Sequence, residues 1–209
     1  MSENLFLLFE LIGTVAFAAS GAMVALSKKM DIFGVAVLGL VTAVGGGVIR
    51  DLILGNTPPA TFLNPIYATV AILVSVICFI PTVRLSLSKN SKIYDATMLV
   101  MDSVGLGVFT VVGVETAYLA GHSDKVFLLV FVGLITGVGG GIIRDMLAGS
   151  TPAILIKHFY ASASIIGALA SIFLWNAFGQ SAAIFGGACL VVLLRFLAAK
   201  YRWSLPKAK

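Results

Sequence analysis

The chain has 209 residues, 59% of them hydrophobic and 11% charged, with a mean hydropathy of +1.07. Soluble globular proteins are about 45–50% apolar and about 25% charged, and a soluble chain of this size has too little interior to hide so much apolar surface. The composition therefore excludes a soluble core and points to an integral membrane protein, whose formal charge of +5 bears on orientation across the bilayer rather than on nucleic acid.

Seven stretches reach the roughly 20 apolar residues that a membrane helix needs: 5–26, 32–54, 63–83, 97–119, 126–148, 154–175 and 181–200. The first follows "MSENLF", which has no basic flank and no small-residue cleavage pattern, so it reads as a retained helix. It carries Glu10. The second contains "TAVGGGVIRDLILGNTP", with Gly45, Gly46 and Gly47 followed by Arg50 and Asp51. The third ends at the basic linker "RLSLSKNSKIYD". The fourth holds Asp102 and, deeper, Glu115. The fifth contains "TGVGGGIIRDMLAGSTP", with Gly139, Gly140, Gly141, Arg144 and Asp145. The basic tail "YRWSLPKAK" after the seventh carries Tyr201 and Trp203, suited to the interface. Cys78 and Cys189 lie in apolar runs and read as small hydrophobes. His122 and His158 sit near span ends and form no ligand cluster.

The short connections leave no room for a soluble domain. With seven spans, one side carries Lys28, Lys29, Arg84, Lys89, Lys92, Lys157, Lys200, Arg202, Lys207 and Lys209, and the other carries Lys125. Positive charge collects on the cytoplasmic side, so the C-terminus is expected in the cytoplasm and the N-terminus outside.

The two glycine-rich stretches agree at eleven of seventeen positions. Upstream, "ELIGTVAFAASG" aligns with "DSVGLGVFTVVG", which makes Glu10 and Asp102 equivalent. Downstream, "PIYATVAI" aligns more weakly with "HFYASASI". Each copy holds three spans, an odd number, so the second inserts upside down. The expected fold is all-α: two inverted three-helix repeats, residues 1–83 and 97–175, joined by a cytoplasmic linker at 84–96 and followed by a seventh helix and basic tail at 176–209. Inverted repeats are a transport architecture with a pathway near the midplane between the halves.

Three glycines in a row weaken a helix, at roughly 1 kcal/mol each relative to Ala. They predict a broken or kinked second and fifth helix whose freed carbonyls line a pathway, because non-helical backbone at that depth must face protein or water. The alternative is close packing of helices through small residues. Ionisable residues inside spans are functional candidates by default. A crossed pairing is expected, Arg50 with Asp145 or Asp102 and Arg144 with Asp51 or Glu10; the alternative is that each arginine snorkels to its interface. Glu115, which has no acidic counterpart in the first repeat, lines a vestibule or approaches the outer surface. The "TP" after each glycine-rich helix reads as helix termination. No Ser/His/Asp set, paired metal ligands or CxxC appears, and "GGG" lacks the lysine of a phosphate loop; neither an enzyme nor a bound cofactor is expected.

The doubled "VGGG[VI]IRD", the "G-x-TP" after each copy and the "G-x3-F-x3-G" of the first and fourth spans resemble the bacterial relatives of the trimeric intracellular cation (TRIC) channels, a group also called UPF0126 or glycine-transporter proteins. The resemblance covers nearly all of the chain except the tail. It implies seven helices per subunit, a homotrimer in the lipid bilayer, and a pore within each subunit lined by the glycine-kinked second and fifth helices. It further implies a permeant monovalent cation, potassium or sodium. By position, Gly45–Gly47 and Gly139–Gly141 are the kink residues, and Arg50, Asp51, Arg144 and Asp145 stand where the family places polar groups near the pore. Animal members have a lysine and a glutamate near this point, so their lipid and calcium regulation does not carry over to the Arg-Asp pairs here.

Two functions fit these residues. A passive cation channel uses weak, multiple contacts along a narrow polar path. A secondary carrier for glycine or another small amino acid would use an arginine for the carboxylate and an aspartate for the amine, and the repeat suits either.

Overall fold

The computed structural model describes residues 3–88, 90–156 and 159–203. Lys89, Lys157, His158, Lys207 and Lys209 lie outside the described residues. The chain is all-helical: α1 (Glu3–Ser27), α2 (Ile32–Leu54), α3 (Ala60–Leu63), α4 (Ile66–Phe79), α5 (Pro81–Ser88), α6 (Ser91–Ala117), α7 (Val126–Leu147), α8 (Ala153–Ile156), α9 (Ala161–Phe178) and α10 (Gln180–Tyr201). A wide turn, Tyr118–His122, extends α6.

Among the described residues six helices are long and apolar enough to cross a membrane, and α4 is a shorter apolar helix. At 1.5 Å per residue its 14 residues span about 21 Å. The expected span at 63–83 is thus divided. Pro81 lacks an amide proton and disfavours helical geometry in the residue before it; Ile80 accordingly sits at φ −54°, ψ 131°, and α4 stops there. The expected linker at 84–96 is largely helical, taken up by α5 and the first turns of α6, which the Asn90 side chain caps by accepting from the Lys92 amide. The expected span at 154–175 is divided as well. Short α8 precedes α9, and Phe159 between them has a positive φ of 60°.

Outward surfaces carry large apolar side chains. Phe127 is 83% exposed, Phe33 76% and Leu155 74%. Such surface belongs in lipid. The interior is built from small residues: Ala18, Ala22, Ala25, Ala71, Ala163, Ala168 and Ala183 are fully buried. Helices that touch through alanine and glycine approach closely, which is how membrane helices gain packing without a hydrophobic drive.

The two halves use matching contacts. In α1 and α6 the "G-x3-F-x3-G" pattern forms a crossing in which Phe17 lies over Gly105 and Phe109 approaches Gly13. The rings of Phe17 and Phe109 meet at 5.3 Å. The second glycine of each pattern admits a threonine: Gly21 faces Thr42 of α2, and Gly113 faces Thr136 of α7. Helix α10 lies against α6 and α9, with Phe185 edge-on to Phe9 of α1.

Candidate functional site

The glycine runs do not break their helices. Helices α2 and α7 are continuous through both. The expected interruption is replaced by a crossing. A Cβ on Gly46 would stand 2.1 Å from the Thr136 carbonyl oxygen, and one on Gly140 would stand 2.0 Å from the Thr42 carbonyl oxygen. No side chain fits there, and the cost of glycine in a helix is offset by backbone-to-backbone packing. Gly46 meets Thr136 while Gly140 meets Thr42, so the two helices cross antiparallel. Gly45 and Gly139 flank the contact, against Ile143 and Ile49. The third glycines differ: Gly47 borders a cavity, and Gly141 faces Tyr160 and Arg144.

Arg50 and Arg144 each lie six residues beyond the centre of the crossing, in opposite directions. At 1.5 Å per residue they are up to about 18 Å apart along the axis. Each anchors a cluster of the same design. Arg50 Nε donates to Asp51 Oδ1 at 2.8 Å, and Arg144 Nε donates to Asp145 Oδ1 at 2.8 Å. The expected crossed pairing is therefore corrected. Neighbours on a helix point about 100° apart, but a long guanidinium folds back over that angle. The second oxygen of each aspartate pins the following short helix. Asp51 Oδ2 accepts from the Ala60 amide at 2.9 Å, and Asp145 Oδ2 accepts from the Ala153 amide at 2.7 Å.

The "G-x-TP" endings serve this fold-back. Gly55 and Gly149 adopt positive φ, and the amides of Asn56 and Ser150 return to the carbonyls of Asp51 and Asp145, both at 2.8 Å. Glycine at this position ends a helix without a Cβ clash. The helices thus stop before Thr57-Pro58 and Thr151-Pro152, not at them.

Glu10 and Asp102 complete the clusters, each bonded to a tyrosine. Tyr67 donates to Glu10, and Tyr160 donates to Asp102 at 3.3 Å. The environments then diverge. Glu10, Arg50, Asp51, Gly47, Thr14 and Tyr67 line a cavity of about 260 Å³, roomy enough for water. Asp102 is 1% exposed and Arg144 2%. Arg144 bridges Asp145 and Asp102, the latter at 3.0 Å, and reaches Ser20 of α1 with the same nitrogen. Arg195 of α10 joins from the other side, 3.8 Å from Asp102 and 4.6 Å above the Tyr160 ring.

Glu115 belongs to neither cluster. It is buried and accepts from Gln180 at the start of α10. Among the described residues no group of acids, histidines and cysteines is arranged to hold a metal ion. Cys78 and Cys189 are free thiols. Tyr67, Tyr160, Ser20 and Arg195 are the members the sequence reading missed. The tyrosines stand at one column of the aligned "PIYATVAI" and "HFYASASI", and Arg195 is a lone charge inside an apolar span.

The family model described as "Glycine transporter" matches residues 7–82 and 99–176. The UPF0126 inner membrane protein YadS of Escherichia coli K12 is 40% identical over 200 residues, covering 94% of this chain and 91% of its own. A UPF0126 membrane protein of Deinococcus radiodurans is 39% identical, covering 94% and 89%. Among solved structures, the TRIC trimeric intracellular cation channel orthologue from Rhodobacter sphaeroides superposes with a TM-score of 0.86 at 34% identity, over 96% of this chain and all of that one. A second, from work on conductance through TRIC cation channels, gives 0.85 at 38%, over 100% and 98%. The chain belongs to the TRIC family. It is a multi-pass membrane protein of the group that also carries the UPF0126 and glycine-transporter names. In this TRIC-family chain the doubled glycine and Arg-Asp pattern is a crossing between two polar clusters.

Proposed function

We propose that the chain is a monovalent cation channel, permeable to potassium, with a pore in each subunit of a homotrimer. The solved relatives are described as TRIC cation channels, one of them as trimeric, and at 34–38% identity over nearly the whole chain their architecture is shared. The observation that carries the reading is the pair of matching polar clusters on opposite sides of the α2–α7 crossing, one of them open to a cavity. Such a path offers ions several weak partners in turn. Gly47 and Gly141 face these clusters, while Gly45, Gly46, Gly139 and Gly140 hold the two helices together. In this conformation the Arg144 cluster closes the path.

The halves are two inverted three-helix repeats with α10 added. The excess of basic residues in the loops supports a cytoplasmic C-terminus in a bacterial inner membrane, an orientation that turns the Glu10 cavity outward. A glycine carrier is less well supported. In both clusters the arginine is already held by its neighbouring aspartate, so neither charge stands ready for a zwitterion. Purified protein in planar bilayers under a potassium gradient tests the proposal. Stepwise currents reversing near the potassium equilibrium potential are expected. Electrical silence together with saturable glycine uptake into liposomes would overturn it.

A further inference from the structure

The two halves build their clusters from equivalent Arg-Asp pairs, acids and tyrosines, but α10 has no counterpart in the first half. Its contribution is Arg195, a buried arginine, 4% exposed, between two environments. One face stacks on Tyr160 and approaches Asp102. The other lines a second cavity, of about 440 Å³, together with Asp95, Arg202 and Trp203. Arg195 belongs to the same end of the α2–α7 pair as Arg144, so this cavity and the Glu10 cavity lie on opposite sides of the crossing.

Their formal charges differ in sign. The Glu10 cavity sets Arg50 against Glu10 and Asp51, one net negative charge. The second sets Arg195 and Arg202 against Asp95, one net positive charge. Behind it, Arg144 stands against Asp102 and Asp145, one net negative charge, so with each residue counted once that end as a whole is neutral while the Glu10 end is negative. Fixed charge at a mouth raises or lowers the local concentration of permeant ions. A cation entering from the Glu10 side meets an enriched mouth, and one entering from the other side a mouth without that enrichment.

We propose that Arg195 makes the pathway rectify: it cancels the negative charge that the mouth at the Arg144 end would otherwise carry, so that cation current is larger when cations enter from the Glu10 cavity. This rests on the channel reading and adds a direction to it. A unit charge roughly 8 Å from an ion's path in water changes the local cation concentration about twofold. The effect fades with salt, because the screening length falls from roughly 10 Å at 0.1 M to roughly 3 Å at 1 M.

The test is the ratio of the larger to the smaller single-channel current at equal and opposite voltages, read channel by channel in symmetric potassium chloride, so that insertion direction does not matter. At 0.1 M salt the wild type is expected to rectify, and Arg195→Gln to lower the ratio about twofold. Arg195→Lys keeps the charge and is expected to keep the ratio. Asp95→Asn, at an exposed position, is expected to raise it. At 1 M all ratios converge. A wild type that conducts with a ratio of one, or ratios that Arg195→Gln and Asp95→Asn leave unchanged at 0.1 M, would overturn the inference and leave the channel standing. If Arg195→Gln does not yield folded protein, the Asp95→Asn ratio alone decides. A wild type that passes no current overturns both readings.

Discussion

Glu10 and Asp102 occupy equivalent positions, yet their surroundings make opposite demands. Asp102 is enclosed and faces two arginines, so removing its charge leaves Arg144 and Arg195 short of a buried partner. Breaking one side of a buried pair typically costs about 3–5 kcal/mol. Glu10 borders a cavity, where water replaces lost interactions, and its neighbour Arg50 keeps Asp51. We expect Asp102→Asn to lower the melting temperature in detergent strongly, and Glu10→Gln to lower it by less than about 1 kcal/mol equivalent. Equal losses would show that the two clusters are energetically alike. At this scale much was legible: the duplicated Arg-Asp pairs announce themselves because charge is so rare in these spans. Their partners were less so. Whether an arginine turns back to its neighbouring aspartate or crosses to the other repeat depends on side-chain reach, which spacing does not encode. Tyr67 and Tyr160 were hidden because a tyrosine near a span end has an ordinary interfacial explanation.

Among the elements, the glycine triplets separate into different tasks, and substitution reads them apart. Gly46→Ala places a methyl group against a backbone carbonyl that cannot swing away, so α2 and α7 must part. Overpacking of this kind costs about 1–3 kcal/mol. Gly47→Ala meets nothing nearer than 3.7 Å, a guanidinium nitrogen of Arg50, and replaces a poor helix former with the best one. Melting temperatures are expected to fall for Gly46→Ala and to hold or rise for Gly47→Ala. The sequence located these helices to within a residue or two because long apolar runs leave little freedom. It misjudged their interior, since glycine's low helix propensity is a local preference and a close backbone crossing overrides it. It also drew single spans at 63–83 and 154–175 where the chain is divided. Pro81 was a readable signal for the first. The division at Phe159 had none, because only the tertiary fold, with Asp145 drawing Ala153 back, sets where α8 ends and α9 begins.

For the whole molecule, the orientation drawn from basic loops has a direct check. With Cys78 and Cys189 replaced by alanine, a cysteine at Ser123 is expected to react with a membrane-impermeant thiol reagent applied to intact cells. One at Lys29 is expected to react only after lysis, and the reverse pattern would invert the assignment. The duplicated unit was legible at this scale because both copies keep the same rare words in the same order. The difference between the halves was not, since it comes from a helix outside the repeat. The backbones of α2 and α7 touch at Gly46 and Gly140 with no side chain between them. Nothing soft separates the two helices there, so that point acts as a fulcrum. A tilt of one against the other spreads them at one Arg-Asp cluster and draws them together at the other. The two Arg-Asp clusters are the ends of a single lever, and spreading one presses its twin together.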